Sequence, residues 1–183
     1  MGDDACLVAG CIWNAADVFP AQTNPVGPWQ FGFSSAGDGL DLSPYTAVMD
    51  GQRRAWFHEH LDRYGNIWKN TEPFSQLGIA PGQLQMHPPC ISPQYVSSLM
   101  FTAPLAGTYR AVGAFDVGSA GLTSGGLASS AGTLIGEVSI VSRVAFDQTV
   151  TLSAGGRIRL WVHMANDSCS SDSTQVELTI ELQ

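Results

Sequence analysis

The sequence predicts an all-β protein, an antiparallel two-sheet β-sandwich of jelly-roll-like type. Three observations carry that expectation. Residues 99–116, LMFTAPLAGTYRAVGAFD, read as a hairpin of two extended runs turning at Pro104 and Gly107, with Tyr109, Ala111, Gly113 and Phe115 alternating against Arg110, Val112 and Ala114. Near the C-terminus Val176, Leu178, Ile180 and Leu182 alternate strictly with polar residues. A period of two is the signature of a strand with one buried face. Almost every other apolar stretch is short and bounded by Pro, Gly, Asp or Ser, which favours many short strands packed as two sheets.

Taken in order, residues 1–12 form an acidic, cysteine-bearing arm, and residues 13–183 form one sandwich domain. Residues 12–19, IWNAADVF, are a first strand ending at Pro20. In the stretch NPVGPWQFGF, two prolines and a glycine exclude a helix, and Trp29, Phe31 and Phe33 then share one face of a strand. Residues 45–49 and 55–60 are joined through Asp50-Gly51, a dipeptide suited to tight hairpin turns. A short strand at 66–70, a loop with two prolines at 71–81, and a strand at 83–87 halted by Pro88-Pro89 follow. Residues 118–132, rich in Gly, Ser, Ala and Leu and uncharged, read as a long flexible loop. Strands are expected again at 134–142, 143–152, 157–164 and 175–182, with a polar loop at 166–173.

The 183 residues carry eight Lys plus Arg against sixteen Asp plus Glu, a formal charge of −8, and Lys69 is the sole lysine. A phosphate backbone is repelled by such a chain, so nucleic acid and anionic membrane surfaces are not expected as partners. No apolar run reaches the ~18 residues of a membrane-spanning helix, and the polar, acidic start shows no signal peptide. One domain of this size buries about 70% of the surface its unfolded chain exposes. Low charge with abundant Gly, Ser and Thr suits an extracellular or cell-surface location.

Four cysteines, Cys6, Cys11, Cys90 and Cys169, allow two disulfides in three connectivities. Close spacing favours Cys6–Cys11 and leaves Cys90–Cys169 as a long-range staple, whose closure would cost the unfolded state about 4–5 kcal/mol of entropy. Zinc is the competing reading, without any C-x-x-C pair to support it; free thiols are the third.

Four segments, taken in order, carry a resemblance. They are Asn24-Pro25-x-Gly27-x-Trp29-x-Phe31-Gly32, the run 81–88 ending in Met86-His87-Pro88, the run 101–109 (FTAPLAGTY), and Asp172-Ser173-Thr174 before the last strand. Together they resemble a domain of secreted and surface-tethered bacterial proteins that often carry PEP-CTERM-type sorting tails, and the sandwich is similar in general form to carbohydrate-binding modules. The resemblance implies the fold and export. The chain departs from the pattern in Cys90, Cys169 and the lack of an apolar tail.

Three sets of residues could carry chemistry. His58 and His60 fall on one face of a strand, where two imidazoles can hold a transition metal as in cupin barrels, with His87 and His163 as the other histidines. Asp167 and Asp172, with Asn166 and loop carbonyls, offer hard oxygens suited to calcium; Asp172 is alternatively a turn cap. Trp56, Trp68, Tyr64 and Tyr45 are flanked by polar residues near turns, where an exposed ring stacks on the C–H face of a sugar; Tyr95 shares that context. Trp13, Trp29 and Trp161 are read as core. No G-x-S-x-G elbow is present and no Cys–His set is indicated by local context; Glu59, Asp62, Asp116, Glu137 and Asp172 could supply a carboxylate pair for glycoside hydrolysis, but spacing does not show that any two converge.

The reading that follows is a non-catalytic extracellular β-sandwich binding module for a glycan or a cell-surface protein. The alternatives are a structural or adhesion domain of an envelope or particle, and a cupin-like metal-dependent enzyme built on His58 and His60.

Overall fold

The computed structural model describes residues 6–19, 23–35, 39–49, 53–58, 62–76, 78–119, 121–165 and 171–183. Fourteen strands make up the fold: β1 (Ile12–Asn14), β2 (Trp29–Ser34), β3 (Ser43–Pro44), β4 (Ala47–Met49), β5 (Arg53–His58), β6 (Asp62–Asn70), β7 (Leu84–His87), β8 (Val96–Thr102), β9 (Gly107–Val117), β10 (Thr123–Ser129), β11 (Gly132–Ile140), β12 (Val144–Leu152), β13 (Arg157–Met164) and β14 (Thr174–Leu182). They form two antiparallel sheets, ordered β12-β9-β14-β7-β6-β5-β4 and β11-β10-β13-β8-β2-β3. The far edge of β14 is shared: β7 pairs with its first residues and β1 with Thr179–Glu181. Two open sheets face to face are a sandwich, as the alternation predicts, and not the closed barrel on which a cupin-like metal site depends.

Alternating residues of each sheet meet in the core. Val176, Leu178, Ile180 and Leu182 point inward from β14, and Trp29, Phe31 and Phe33 from β2, all buried. Phe101 is the hub of an aromatic cluster, with ring centroids 5.3 Å from Trp13, 5.3 Å from Trp29 and 5.7 Å from Tyr109. Tilted and edge-on pairs of this kind add to the area they bury.

Two sequence expectations give way here. The run 99–116 is not a hairpin. β8 pairs with β13 and β2 in one sheet, while β9 pairs with β12 and β14 in the other. The Pro104–Gly107 turn therefore carries the chain between sheets. It is held by Ala103 N–H donating to Gly156 O (2.7 Å), Gly155 N–H donating to Ala103 O (2.8 Å) and the Tyr109 hydroxyl donating to Leu105 O (2.7 Å). Alternation reports which face of a strand is buried and is silent on its partner, so a corner between sheets and a hairpin read alike.

The flexible loop expected at 118–132 contains a buried strand. β10 lies between β11 and β13, and every one of its residues is buried. Its glycines are packing sites. A Cβ on Gly125 would stand 2.8 Å from the Phe115 ring, and one on Gly126 would stand 2.5 Å from the Trp161 ring. Large side chains from β9 and β13 fill the volume that β10 leaves free, so glycine here marks close approach. The first strand is also shorter than expected, because the Asn14 side-chain oxygen accepts from Ala16 N–H (2.8 Å) and turns the chain.

The described part of the arm is tied to the domain. Cys6 and Cys11 form a disulfide, Gly10 N–H donates to Leu182 O (2.6 Å), and Leu182 N–H donates to Cys11 O (2.9 Å). Cys90 is disulfide-bonded as well; Cys169 lies outside the described residues. Over β9, β12 and β14 the outer face of the eight-stranded sheet is solvated and charged, with Arg110 paired to Asp147 and Arg143 to Glu177.

Candidate functional site

Three of the four aromatic residues selected from the sequence, Trp56, Trp68 and Tyr45, are buried and are not surface platforms. Trp56 is 4% exposed and faces the main core. Trp68, also 4% exposed, lies on the opposite face of the same sheet, in a separate cluster with Ala55 and Ile79. The loop of residues 71–82 brings Ile79 over it. Asn70 pins that loop, its side-chain amide donating to Phe74 O and Ile79 O (2.9 and 2.8 Å) and its side-chain oxygen accepting from Glu72 N–H. Tyr45 is 1% exposed, with its hydroxyl 2.6 Å from Ser97 Oγ and its ring stacked on Phe33. Polar flanks mislead in a sandwich, because a strand buried on one face is polar on the other and can still be covered by a loop. The side chains of Tyr64 and His58, and residues His60, Asp167 and Asn166, lie outside the described residues. His87 is buried, with Nδ1 2.8 Å from Pro88 O. Among the described residues no three His, Cys, Asp or Glu side chains gather as a metal site.

The residues that do come together lie on the outer face of the six-stranded sheet. β13 reads Arg157-Ile158-Arg159-Leu160-Trp161-Val162-His163-Met164. Ile158, Leu160 and Val162 enter the core, so Arg157, Arg159, Trp161 and His163 point to the other side. Register places Arg159 beside Met100 and Gln30, Trp161 beside Ser98 and Gly32, and His163 beside Val96 and Ser34. On the far side β10 contributes Ser124, Gly126 and Ala128. Neighbours this small let the Trp161 ring lie low across Gly126 and hollow out the face.

Arg159 is wholly buried in this face, with Nε donating to Ser98 Oγ and Nη2 to Ser34 Oγ, both at 2.9 Å. Residues 40–43 lie over it: Arg157 Nη1 donates to Leu40 O (3.0 Å), and the Leu42 side chain rests on Gly32. Two hollows result. One, about 260 Å³, is lined by Trp161, Val96 and Pro93 on its apolar side and by His163, Glu137 and Gln94 on its polar side. The other, about 400 Å³, is lined by Gln30, Ser34, Ser43, Asp41, Met100 and Arg157. Ser35 borders both, so they adjoin on one face.

In the smaller hollow His163 Nε2 lies 2.9 Å from Glu137 Oε1, and the His163 ring centroid is 5.5 Å from that of Trp161. Glu137 has 57% of its side chain exposed, so the carboxylate that meets His163 through Oε1 is open to solvent and to a ligand at Oε2. An apolar wall of Pro93, Val96 and the edge of Trp161, flanked by a carboxylate, an imidazole and an amide, can meet the C–H face and the hydroxyls of a polyhydroxylated ring. None of Arg157, Arg159 or Glu137 was singled out from the sequence as a binding residue. The legible signal was the alternation of R, R, W and H with I, L and V, which marks a strand polar on one side and deeply apolar on the other. Trp161 is buried as expected, at 6% exposure, but on the outer side of its sheet.

Asp172 lies apart from this face, ahead of β14. It is 0% exposed, neither carboxylate oxygen has a hydrogen-bond partner, and burial pushes its pKa up to about 6. It is thus not the turn cap that the sequence also allowed, since a cap would accept from backbone N–H groups.

No protein-family model and no curated protein matches the chain. Among solved structures it is similar to the CBM22-1 xylan-binding domain of Paenibacillus barcinonensis Xyn10C, at 11% identity and a TM-score of 0.42 over 95% of this chain and 96% of that one. It is also similar to the carbohydrate-binding module BiXyn10A CBM1, at 12% identity and a TM-score of 0.40 over 76% and 94%, and to a family 35 carbohydrate binding module from Clostridium thermocellum, at 15% identity and a TM-score of 0.32 over 47% and 68%.

Proposed function

We propose that this chain is a non-catalytic, extracellular binding module that holds a glycan on the outer face of its six-stranded sheet. The observation that carries the reading is the outward row of β13, where Trp161 and His163 lie between small neighbours and beside the exposed carboxylate of Glu137. Pro93 and the narrow edge of Trp161 that stays open bound the apolar side of the hollow against a sugar ring, and Glu137, His163 and Gln94 supply hydrogen bonds to its hydroxyls. Arg159, fixed by Ser34 and Ser98, holds the face rigid, which lowers the entropy lost on binding. The disulfides suit an oxidising, extracellular setting.

A glycan array probed with the purified chain, followed by titration calorimetry on the best ligand, tests the reading. Glu137→Ala, at an exposed position, leaves the melting temperature unchanged and weakens binding about tenfold or more, the expected loss for a hydrogen bond to a charged group. Trp161→Ala weakens it further. A blank array, or wild-type affinity in both variants, rejects the assignment; a blank array with an intact fold favours the structural or adhesion role instead.

A further inference from the structure

Four strands, β3, β4, β11 and β12, end the two sheets, and three of them carry features that stop further strand pairing. β3 is two residues long and contains Pro44, β4 is three residues long, and β11 slips its register against β10 twice, which bulges it. Short length, proline and bulges are the usual guards of an open edge. β12 has none of them. It pairs with β9 over nine residues, Val144 to Leu152, in unbroken register, and its run VAFDQTVTL holds neither Pro, Gly nor Lys. Its one charge, Asp147, is neutralised by the Arg110 guanidinium, which donates to both carboxylate oxygens at 2.8 and 2.6 Å.

The ladder fixes which backbone groups of β12 face outward. Gln183 N–H donates to Thr108 O (2.9 Å), so the even-numbered residues of β9 turn their backbone groups toward β14 and the odd-numbered ones toward β12. Tyr109 lies opposite Val150 and Ala111 opposite Gln148, so the even-numbered residues of β12 bond to β9. Ala145, Asp147, Thr149 and Thr151 direct N–H and C=O outward, and among the described residues no hydrogen bond reaches those groups. An antiparallel second copy centred on Gln148 sets Ala145 opposite Thr151 and Asp147 opposite Thr149, so each of the four outward residues meets a partner. On the core side it sets Phe146 opposite Val150 and Val144 opposite Leu152. No like charges face each other in this register, whereas a centre at Asp147 would oppose two carboxylates.

We propose that two copies of this chain associate through β12, antiparallel about a twofold axis at Gln148, and so join their eight-stranded sheets into one continuous sheet. The edge is its own complement in length, charge and side-chain size, as a twofold interface requires. An antiparallel pair of identical strands is related by an axis perpendicular to the sheet, so the outer faces of both six-stranded sheets point the same way. Dimerisation does not depend on the glycan reading. Where that reading holds, the pair presents two β13 faces to one surface, and binding gains by avidity.

Sedimentation velocity of the full chain across a concentration series is expected to show a monomer passing into a dimer. Thr149→Pro removes one outward N–H from each copy and leaves every bond to β9 in place, because that N–H points away from β9. It weakens dimerisation about tenfold or more, while the dilute variant keeps the native circular dichroism spectrum. Gln148→Cys sets two thiols across the axis with Cα atoms about 4.5 Å apart, so mild oxidation yields a covalent dimer; Thr149→Cys, which faces Asp147, yields little. A chain that stays monomeric at the highest concentration overturns the proposal, even if a strand of another protein covers β12. So does a dimer that a folded Thr149→Pro leaves intact, or one that crosslinks equally from positions 148 and 149. Should Thr149→Pro not fold, the two cysteine variants decide.

Discussion

Replacing Trp68 by alanine separates a core role from a ligand platform. The side chain is 4% exposed and packed with Ala55 and Ile79 beneath the loop of residues 71–82. A tryptophan buries roughly 150–250 Å² of surface, and at about 25 cal/mol per Å² its removal sets a ceiling near 4–6 kcal/mol. Large aromatic-to-alanine changes in cores cost about 3–5 kcal/mol. The small cluster has one loop as its roof, and that roof can settle into the space, so the lower end, about 3 kcal/mol, is the expected loss. In a chain of this length that lowers the melting temperature by about 6–12 °C. Urea unfolding followed by tryptophan fluorescence and circular dichroism measures it as a lower midpoint at unchanged slope. Faster amide exchange of the loop tied to Asn70 accompanies the loss, because Ile79 loses its floor. Glycan affinity at temperatures where the variant stays folded remains that of the native chain. A stability change below about 1 kcal/mol, coupled with loss of glycan binding, would refute the reasoning, since it would show an exposed ring that contacts ligand.

Three further outcomes follow from particular contacts. Gly126→Ala puts a Cβ 2.5 Å from the Trp161 ring; it costs about 1–3 kcal/mol by overpacking and weakens glycan binding by lifting the ring, both readable from melts and calorimetry. Tyr109→Phe removes the hydroxyl that donates to Leu105 O at 2.7 Å and is expected to cost about 1 kcal/mol in urea unfolding, with no effect on binding. Asp172 destabilises the fold as its charge forms. Its folded pKa is raised to about 6 against 3.8 for the free group, so between those values the folded state holds more protons than the unfolded state. Native stability then falls as pH rises through the window, and the full cost, up to about 3 kcal/mol, stands above pH 6. Asp172→Asn should therefore gain on the native chain between pH 4 and pH 8, and a difference that stays flat across that range would contradict it.

The sequence by itself determined the class of fold, the direction of most side chains and the faces that enter the core. Those follow from short-range geometry: a period of two in 157–164 or 176–182 settles which side is buried whatever the strand pairs with. It also determined the net charge of −8, which needs no coordinates. What only the tertiary structure decided are matters of partnership. Residues 118–132 look like a loop until Phe115 and Trp161, from two different strands, occupy the space above Gly125 and Gly126. Trp68 looks exposed until Ile79 arrives from a loop eleven residues on. The face proposed to bind a glycan was invisible for the same reason. Trp161, Glu137, Val96 and Gln94 are scattered over sixty-eight positions, from 94 to 161, and one hollow forms only when β8, β13, β10 and β11 lie side by side. Periodicity is a local property of the chain, whereas strand order is set by long-range packing, and in a sandwich the candidate site is a product of strand order.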